Sequence, residues 1–311
     1  MAQSAPVFLR IGTRGSPLAL AQAHQVRDRL AAAHAVASER IAIHIIRTSG
    51  DRIQDRPLSE VGGKGLFTKE LEEALTAGAI DLAVHSAKDM PTILPPGLTL
   101  AAFLPREDVR DAFISRKAQT LRELPRGAII GTASLRRQAL TKRLRPDLEV
   151  VTFRGNVQTR LRKLDEGEVD ATLLALAGLK RLGLTEHATS ILDVEEFLPA
   201  VGQGAIAIET RQDDSAVLEF LAAISDPPTE TAVAAERAFL TVLDGSCRTP
   251  IAGHARITGD ELVFRGLIAR PDGSEVLETS RKGAAKDAAR LGAEAGLELK
   301  RRGGAGFFTM A

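Results

Sequence analysis

Short apolar runs alternate with longer amphipathic segments through the first two thirds of the chain. This alternation predicts strands and helices in turn, the order typical of parallel α/β domains. Most of the apolar runs end at Gly, Ser or Thr, which favour turns. The predicted strands span residues 7–11, 41–46, 81–85, 98–103, 128–130, 150–153, 171–176 and 205–208.

The pattern changes in the last third, where helical and strand-like segments no longer alternate. A helix is predicted over residues 229–243, then a loop, two strands over 251–257 and 261–269, and a hairpin-like turn at 270–274. An alanine-rich helix is predicted over residues 284–300. The segment Asp226-Pro227-Pro228 is predicted to be a linker. These features predict a separate C-terminal α+β domain.

Composition narrows the class of protein. The 311 residues are 44% hydrophobic and 26% charged, which is ordinary for a globular chain with two or three cores. No apolar run reaches the ~18 residues that span a bilayer, and the N-terminal residues lack the pattern of a secretory signal. We therefore expect a cytoplasmic protein with no membrane partner.

Charge and the reactive residue types exclude several kinds of site. A single cysteine rules out an internal disulfide, and six scattered histidines indicate no metal site. Since 41 Lys and Arg balance 40 Asp and Glu, an anion site must come from local clustering. The near-neutral charge and the absence of Trp and Tyr argue against nucleic-acid binding.

The turns after the predicted strands carry the candidate chemistry, because open α/β sheets bind ligands at the carboxyl ends of their strands. In the first turn, Ser16 suits the N-cap of a helix and Pro17 its first position. Free backbone N–H groups beside Arg14 would then form an anion site. A surface arginine beside a capped helix is the alternative.

A second turn places Arg136 and Arg137 at the start of a helix, where each opposes the macrodipole by roughly 0.3–1 kcal/mol unless an anion lies there. A solvated pair of arginines is the alternative. In a third turn, Asn156 can cap a helix and Gly155 lets a ligand approach the backbone, with cations on either side. Further cations follow a later strand at Lys180 and Arg181.

A fourth turn follows the strand at 81–85 and contains the carboxylate of Asp89 among cations. A carboxylate in such a place can stabilise positive charge or move protons. The alternative is an Asx turn before Pro91 with a surface pair between Lys88 and Asp89. By itself His85 is predicted to be a packed core histidine.

The segment 48–65 and the segment around Cys247 can each be interpreted either as functional or as purely structural. The polar stretch at 48–65 is predicted to be a loop that closes over a ligand or a simple surface loop, and its glycines lack P-loop spacing. Cys247 could be a small buried hydrophobe, as lone cysteines usually are. However, Gly245, Ser246 and Pro250 predict a loop there, and Arg248 favours the thiolate, so we expect a reactive cysteine.

Seven segments in order along nearly the whole chain resemble the porphobilinogen deaminase family. They are TRGSPLAL from Thr13, GGKGLFTKELE from Gly62, HSAKDMP from His85, GTASLRRQ from Gly131, RGNVQTRL from Arg154, AGLKRLG from Ala177 and VGQGAI from Val201. The resemblance implies two α/β domains similar to periplasmic binding proteins and a C-terminal α+β domain. It implies that domain 1 covers residues 1–104 with 200–222, domain 2 covers 105–199 and domain 3 covers 223–311.

The resemblance also implies a site. Asp89 would be the catalytic residue, holding pyrrole nitrogens, and a dipyrromethane cofactor would be joined to Cys247 by a thioether. Pyrroles that carry acetate and propionate accumulate carboxylates, which need many cations in one cleft. The cofactor-binding residues would be Cys247, Ser86, Lys88, Asp89, Thr132, Ser134, Arg136, Arg137, Arg154 and Gly155. The substrate-binding residues would be Arg14, Ser16, Lys64, Arg154, Arg160, Arg181 and Gln203.

The activity implied by the resemblance is a transferase reaction of tetrapyrrole and haem biosynthesis. Four porphobilinogen molecules would condense on the primer with loss of ammonia, and hydrolysis would release hydroxymethylbilane. The partners would be porphobilinogen and the growing polypyrrole chain, and we expect a monomer. A non-catalytic two-domain anion-binding or sensor protein would share the strands, turns and arginines, but it would need neither Cys247 nor Asp89.

Overall fold

A computed structural model of the chain describes residues 8–52, 67–243, 250–304 and 307. Two predicted site residues, Lys64 and Cys247, lie outside the described residues. So does most of the predicted loop at 48–65, whose first residues include a helical turn at Ser49–Arg52. The interpretations of these positions therefore stay predictions.

The strands and helices are numbered in chain order. The strands are β1 (Leu9–Thr13), β2 (Ile41–Ile45), β3 (Leu82–Ser86), β4 (Leu98–Phe103), β5 (Asp111–Ser115), β6 (Ile129–Gly131), β7 (Glu149–Val151), β8 (Ala171–Ala175), β9 (Ser190–Ile191), β10 (Ile206–Arg211), β11 (Ile251–Thr258), β12 (Glu261–Ala269) and β13 (Val276–Ala284). The α-helices are α1 (Pro17–Ala33), α2 (Ser49–Arg52), α3 (Lys69–Thr76), α4 (Leu135–Leu144), α5 (Val157–Asp165), α6 (Leu176–Leu182), α7 (Ser215–Ala222), α8 (Pro227–Val242) and α9 (Ala288–Gly303).

The described residues form two compact units, and the chain passes between them three times. The first unit contains residues 8–52, 67–106 and 205–230, and the second contains 107–204, 231–243, 250–304 and 307. The three-domain division expected from the sequence stays a prediction. No helix in the described part of the chain is long and apolar enough to cross a membrane.

The first unit is built on a five-stranded sheet with the order β2-β1-β3-β10-β4. Strand β1 runs parallel to β2 and β3, while β10 runs antiparallel to both β3 and β4. The parallel order expected from the alternation thus holds for β1, β2 and β3, while β10 departs from it. Strand β10 comes from a distant part of the chain, so its direction is not dictated by a helical crossover from the strand beside it.

The second unit contains two sheets. One has the order β7-β6-β8-β5-β9, with β6 parallel to β7 and β8, and β5 antiparallel to β8 and β9. The other is the antiparallel sheet β11-β12-β13, whose core includes Phe239 of α8, Phe264 of β12 and Leu291 of α9. The predicted α/β class with a C-terminal α+β part is confirmed.

The predicted elements differ from the observed ones in instructive places. The eight predicted strands of the first two thirds are present with ends shifted by up to three residues, but β5, β9 and β13 were not predicted. The segment predicted as a linker, Asp226-Pro227-Pro228, lies shortly before the chain passes from the first unit to the second, but it is helical from Pro227. Helix α8 begins at Pro227, and the Asp226 carboxylate caps it by accepting from the N–H of Thr229 at 3.0 Å. Proline tolerates the first turn of a helix because no N–H is needed there.

Candidate functional site

A small pocket lies in the first unit where β1 and β3 end. Its volume is about 60 Å³. Four residues that were predicted as site residues meet here, namely Arg14, Ser16, Ser86 and Asp89. The other residues of the lining are Leu18, Ala19, Gln22, Phe67, Thr68, Val84 and His85.

The turn after β1 presents Arg14 to this pocket. As predicted, Ser16 caps α1, since its hydroxyl accepts from the N–H of Ala19 at 3.3 Å, and Pro17 is the first helical residue. The guanidinium carbon of Arg14 lies 4.1 Å from the centroid of the Phe67 ring, a cation–π contact. The N–H groups of a guanidinium lie in its plane, a geometry that suits a carboxylate.

Asp89 ends a short 3₁₀ turn, Ala87–Asp89, directly after β3. This turn is closed by a backbone hydrogen bond from the N–H of Met90 to the carbonyl of Ala87 at 3.2 Å. The Asx-turn alternative was wrong, because Pro91 has no N–H to donate to the Asp89 carboxylate. The carboxylate is exposed, and no hydrogen bond or ion pair to it occurs among the described residues.

Ser86 is held by a residue that the sequence analysis missed. The amide of Gln22, which is 2% exposed, donates to the Ser86 hydroxyl at 2.9 Å. Gln22 lies on the buried face of α1 with Ala19 and Val26. A polar residue within an apolar helical stripe was the available signal. Lys88, in the same turn as Asp89, is exposed and does not line the pocket.

A buried group of ionisable side chains involves His85. The imidazole Nε2 of His85 lies 3.1 Å from a carboxylate oxygen of Glu209, and both side chains are buried. The expectation of a packed core histidine is confirmed. Burial raises the pKa of Glu72, and the neighbouring charge of Glu209 raises it further while His85 opposes this. Folding therefore shifts the equilibrium of Glu72 toward its neutral form, relative to the unfolded chain.

In the second unit, Arg136 and Arg137 converge on a buried carboxylate that the sequence analysis did not identify. Arg136 Nη2 donates to Oδ2 of Asp111 at 2.7 Å, and Arg137 Nη2 donates to Oδ1 at 2.7 Å. The remaining Nη groups donate to backbone carbonyls, that of Leu198 at 2.9 Å and that of Leu173 at 2.8 Å. Gln203 Nε2 also donates to Oδ1 of Asp111, at 3.1 Å.

Burial decides between the two interpretations of this arginine pair. Arg136 is 5% exposed and Arg137 is 6% exposed, so the solvated-pair alternative was wrong. Burial alone would raise the pKa of Asp111, but the charges and hydrogen bonds of the two arginines outweigh it and hold that pKa well below its usual range. Asp111 is therefore ionised and supplies an internal anion at the start of α4.

The turn before α4 brings together two other predicted residues. Ser134 caps the helix, its hydroxyl accepting from the N–H of Arg137 at 3.4 Å, and the Thr132 hydroxyl accepts from the N–H of Ser134 at 3.1 Å. Gly131 precedes them with no room for a side chain, because a Cβ there would lie 2.6 Å from Cγ of Phe153.

The turn before α5 is organised in a similar way. Asn156 caps the helix as predicted, since its Oδ1 accepts from the N–H of Thr159 at 2.8 Å. Gly155 has a φ of +127° and leaves no space for a Cβ, which would lie 2.7 Å from Cγ2 of Thr159. Arg160 Nε donates to the Gly155 carbonyl at 2.9 Å, while Arg154 is half-buried. The turn thus requires glycine and carries two arginines.

Arg181 lies on α6 and is tied to the chain just after Gln203. Its Nη2 donates to the carbonyl of Gly204 at 2.7 Å. Burial lowers the pKa of Arg181 to about 10, against the opposing charge of Glu107. Even so, Arg181 remains protonated near neutral pH.

No group of His, Cys, Asp and Glu that could hold a metal ion occurs in the part of the chain that the structure describes.

Two proteins similar in sequence match nearly the whole chain. A protein of Nitrobacter winogradskyi named "Porphobilinogen deaminase" is 67% identical over 304 residues, covering 98% of this chain and 96% of that protein. A protein of the same name from Paracoccus denitrificans is 57% identical over 300 residues, covering 96% of each. Among solved structures, the methionine-binding protein MetQ aligns with 75% of this chain and 96% of its own at 15% identity, with a TM-score of 0.45.

Two family models also match the chain. Residues 9–219 match "Porphobilinogen deaminase, dipyromethane cofactor binding domain". Residues 230–301 match "Porphobilinogen deaminase, C-terminal domain". Together the two matches cover most of the described residues, including both sets of site residues set out above. The chain belongs to the porphobilinogen deaminase family.

Proposed function

We propose that this protein is a hydroxymethylbilane synthase. It condenses four porphobilinogen molecules, with loss of ammonia, on a covalent dipyrromethane primer and releases hydroxymethylbilane by hydrolysis. The observation that carries the proposal is the pocket of the first unit, where the carboxylate of Asp89 and the guanidinium of Arg14 line one small cavity. Family membership supports it, whereas a non-catalytic anion-binding protein has no use for a carboxylate in that pocket.

Asp89 acts on the step in which ammonia leaves. The bond between the aminomethyl carbon and nitrogen breaks, and the electron pair departs with the nitrogen, so positive charge develops on the pyrrole ring. A carboxylate near the ring nitrogen stabilises that charge more than it stabilises the neutral ring, which lowers the barrier. Because Asp89 is exposed and has no partner among the described residues, its carboxylate is available to a ring in the pocket.

Cations recognise the acidic side chains of the pyrroles. In the first unit, Arg14 binds an acetate or propionate group while the Ser16 hydroxyl donates a further hydrogen bond. Planar guanidinium groups suit this task because they donate two parallel hydrogen bonds to one carboxylate. Arg154, Arg160 and Arg181 take the same role in the second unit, and Lys64 and Gln203 complete the set.

The residues of the second unit fit an acidic cofactor. Two buried guanidinium charges face the single carboxylate of Asp111, which leaves a surplus positive charge. The Nε–H of Arg136 is buried and has no acceptor among the described residues. Such a surplus suits a ligand with carboxylates. When bound, dipyrromethane supplies the pyrrole carbon to which the next pyrrole is joined.

Several residues would hold the cofactor. Its carboxylates would be held by arginines and hydroxyl groups, and Asp89 would accept from its pyrrole N–H groups. The thioether would be formed by Cys247. The residues proposed for cofactor binding besides these two are Ser86, Lys88, Thr132, Ser134, Arg136, Arg137, Arg154 and Gly155.

Intact-protein mass spectrometry of purified protein tests the proposal. We expect a mass larger than that of the chain by two linked pyrrole rings, and stepwise larger masses after a short exposure to porphobilinogen. The variant Cys247→Ser should have the mass of its chain alone and no condensation activity, because Cys247 is the only thiol. The matched control is Ser246→Ala, which keeps the thiol. An unmodified mass in an active preparation would refute the covalent primer.

We further propose that the protein is a cytoplasmic monomer with the three domains set out above. Light scattering during size-exclusion chromatography should give the mass of a single chain, 33.1 kDa, plus the primer. A stable dimer would contradict this proposal without affecting the proposed reaction.

A further inference from the structure

The carboxylate of Asp111 has an unusual position for an acidic residue. Asp111 is the first residue of β5, and its side chain is 0% exposed. The reaction proposed above does not use it directly. Nevertheless, three residues predicted to bind the cofactor or substrate, Arg136, Arg137 and Gln203, all donate to it.

The hydrogen bonds divide unequally between the two arginines. Arg137 donates two hydrogen bonds to Oδ1 of Asp111, from Nη2 at 2.7 Å and from Nε at 3.2 Å. Arg136 donates to Asp111 only through Nη2, and its Nε–H points at no acceptor among the described residues although that atom is buried. Each of the three guanidinium nitrogens of Arg137 therefore has an acceptor, whereas the Nε–H of Arg136 has none among the described residues.

The charges point in the same direction. Two guanidinium groups and one carboxylate leave a net charge of +1 in a site that is nearly closed to water. Burying an unpaired charge is costly, and a buried donor without an acceptor adds to the cost. Arrangements of this kind are expected where a ligand supplies the missing anion. A single carboxylate would balance the charge and accept from Arg136.

We propose that Asp111 is a positioning residue for carboxylate recognition: it holds Arg136 and Arg137 side by side and cancels one of their two charges, so that the pair offers one positive charge to one acetate or propionate group. This inference rests on the proposed function and adds a residue to it. Asp111 acts through the arginines and does not touch the ligand. An opposite role, in which Asp111 competes with the ligand for the arginines, predicts tighter binding when Asp111 is neutralised.

A binding measurement that needs no catalysis separates these roles. In the Cys247→Ser protein no primer occupies the arginine pair, so the carboxylates of added porphobilinogen can bind there. Porphobilinogen is titrated by calorimetry into this protein and into the same protein with Asp111→Asn. We expect Asp111→Asn to raise the Kd by about tenfold or more. Without the Asp111 carboxylate the arginines are no longer held in place, so a well-oriented charge-assisted contact between arginine and ligand is lost. Asp111→Glu keeps the charge and should bind more tightly than Asp111→Asn.

The matched control is Asp170→Asn. Asp170 lies in the same unit, accepts from the N–H of Ile129 at 2.7 Å and pairs with Lys117, but it does not contact the arginines. We expect it to leave the Kd unchanged. If Asp111→Asn does not fold, the Kd of Asp111→Glu alone tests the proposal. Its carboxylate is displaced by one methylene, so folded protein should show a Kd raised by about threefold or more.

A second readout uses the cofactor-bearing protein. Intact masses after a short exposure to porphobilinogen should show Asp111→Asn stalled at early additions, while Asp170→Asn matches the wild type. A wild-type Kd and a wild-type series of masses in folded Asp111→Asn or Asp111→Glu would overturn the proposal, as would tighter binding by Asp111→Asn. Failure of the proposed function is recognised separately, because the wild-type protein itself would then add no pyrroles.

Discussion

Replacing Arg137 by leucine tests how strongly the buried arginine pair stabilises the second unit. Arg137 makes three hydrogen bonds to buried acceptors through Nη1 and Nη2 and through Nε, two of them to Asp111. Leucine fills much of the same space but removes these bonds. Because Arg136 still pairs with Asp111, the carboxylate is not left without a counter-charge.

The magnitude follows from burial. Because Asp111 keeps a counter-charge, the cost lies in the lost hydrogen bonds to Asp111 and to the carbonyl of Leu173. An unmade hydrogen bond to a buried group costs about 1–3 kcal/mol, so we expect Arg137→Leu to lose about 3 kcal/mol. That is a large part of the 5–15 kcal/mol by which an ordinary domain is stable. The matched control is Arg143→Leu on the same helix. Its side chain is 42% exposed and pairs with Glu278 at the surface, so we expect a loss of about 0–1 kcal/mol.

Urea unfolding followed by far-UV circular dichroism measures both variants. The chain has no Trp or Tyr, so intrinsic fluorescence cannot be used in the ordinary way. A free energy of unfolding for Arg137→Leu within about 1 kcal/mol of that for Arg143→Leu would refute the reasoning, because burial would then have made no difference. The free energy of unfolding of Arg137→Lys should lie between those of Arg137→Leu and Arg143→Leu, since lysine keeps the charge but cannot donate two hydrogen bonds to Asp111 in the same way.

Three further predictions concern the first unit and the turn before α4. Asp89→Asn should leave the fold intact but lower steady-state turnover by about a hundredfold or more, because the charge that stabilises the cationic pyrrole is lost. Glu72→Gln should gain stability relative to the wild type as the pH rises. In the wild type the folded-state pKa of Glu72 is raised above the usual 4.5. The stability that Glu72 contributes is therefore fully present below pH 4.5 and is lost as the pH rises through the folded-state pKa. Urea unfolding of both proteins at pH 4 and pH 7 would measure this difference. Gly131→Ala should cost about 1–3 kcal/mol by overpacking against Phe153, and Phe153→Leu in the same chain should recover part of it in thermal melts.

Each of these has an outcome that contradicts it. Turnover of Asp89→Asn within about tenfold of the wild type would show that catalysis lies elsewhere. A stability difference for Glu72→Gln that is the same at both pH values would show that the carboxyl titrates normally. If Gly131→Ala is as stable as the wild type, the Phe153 ring is free to move, and the double variant has nothing to recover.

Local sequence by itself determined where α1 and α5 begin and which turns carry the candidate site residues. Ser16 and Asn156 cap helices as predicted, because a short polar side chain can satisfy N–H groups only a few residues away. The strands were located by their apolar runs, since a buried strand has a strong and short pattern. The candidate residues were also present in the sequence as motifs, which is why Arg14, Ser86 and Asp89 could be named before the pocket was seen.

Tertiary structure alone decided which residues meet. Asp111 was not predicted as a site residue, because its strand follows a charged segment and an acidic residue at the start of a strand usually indicates exposure. Only the folded structure shows that two arginines from a distant helix pair with it. The antiparallel direction of β10 and the contact of Gln22 with Ser86 were hidden for the same reason. A pattern along the chain reports the environment that each residue prefers, whereas the partner that satisfies a buried charge is chosen by packing between distant segments.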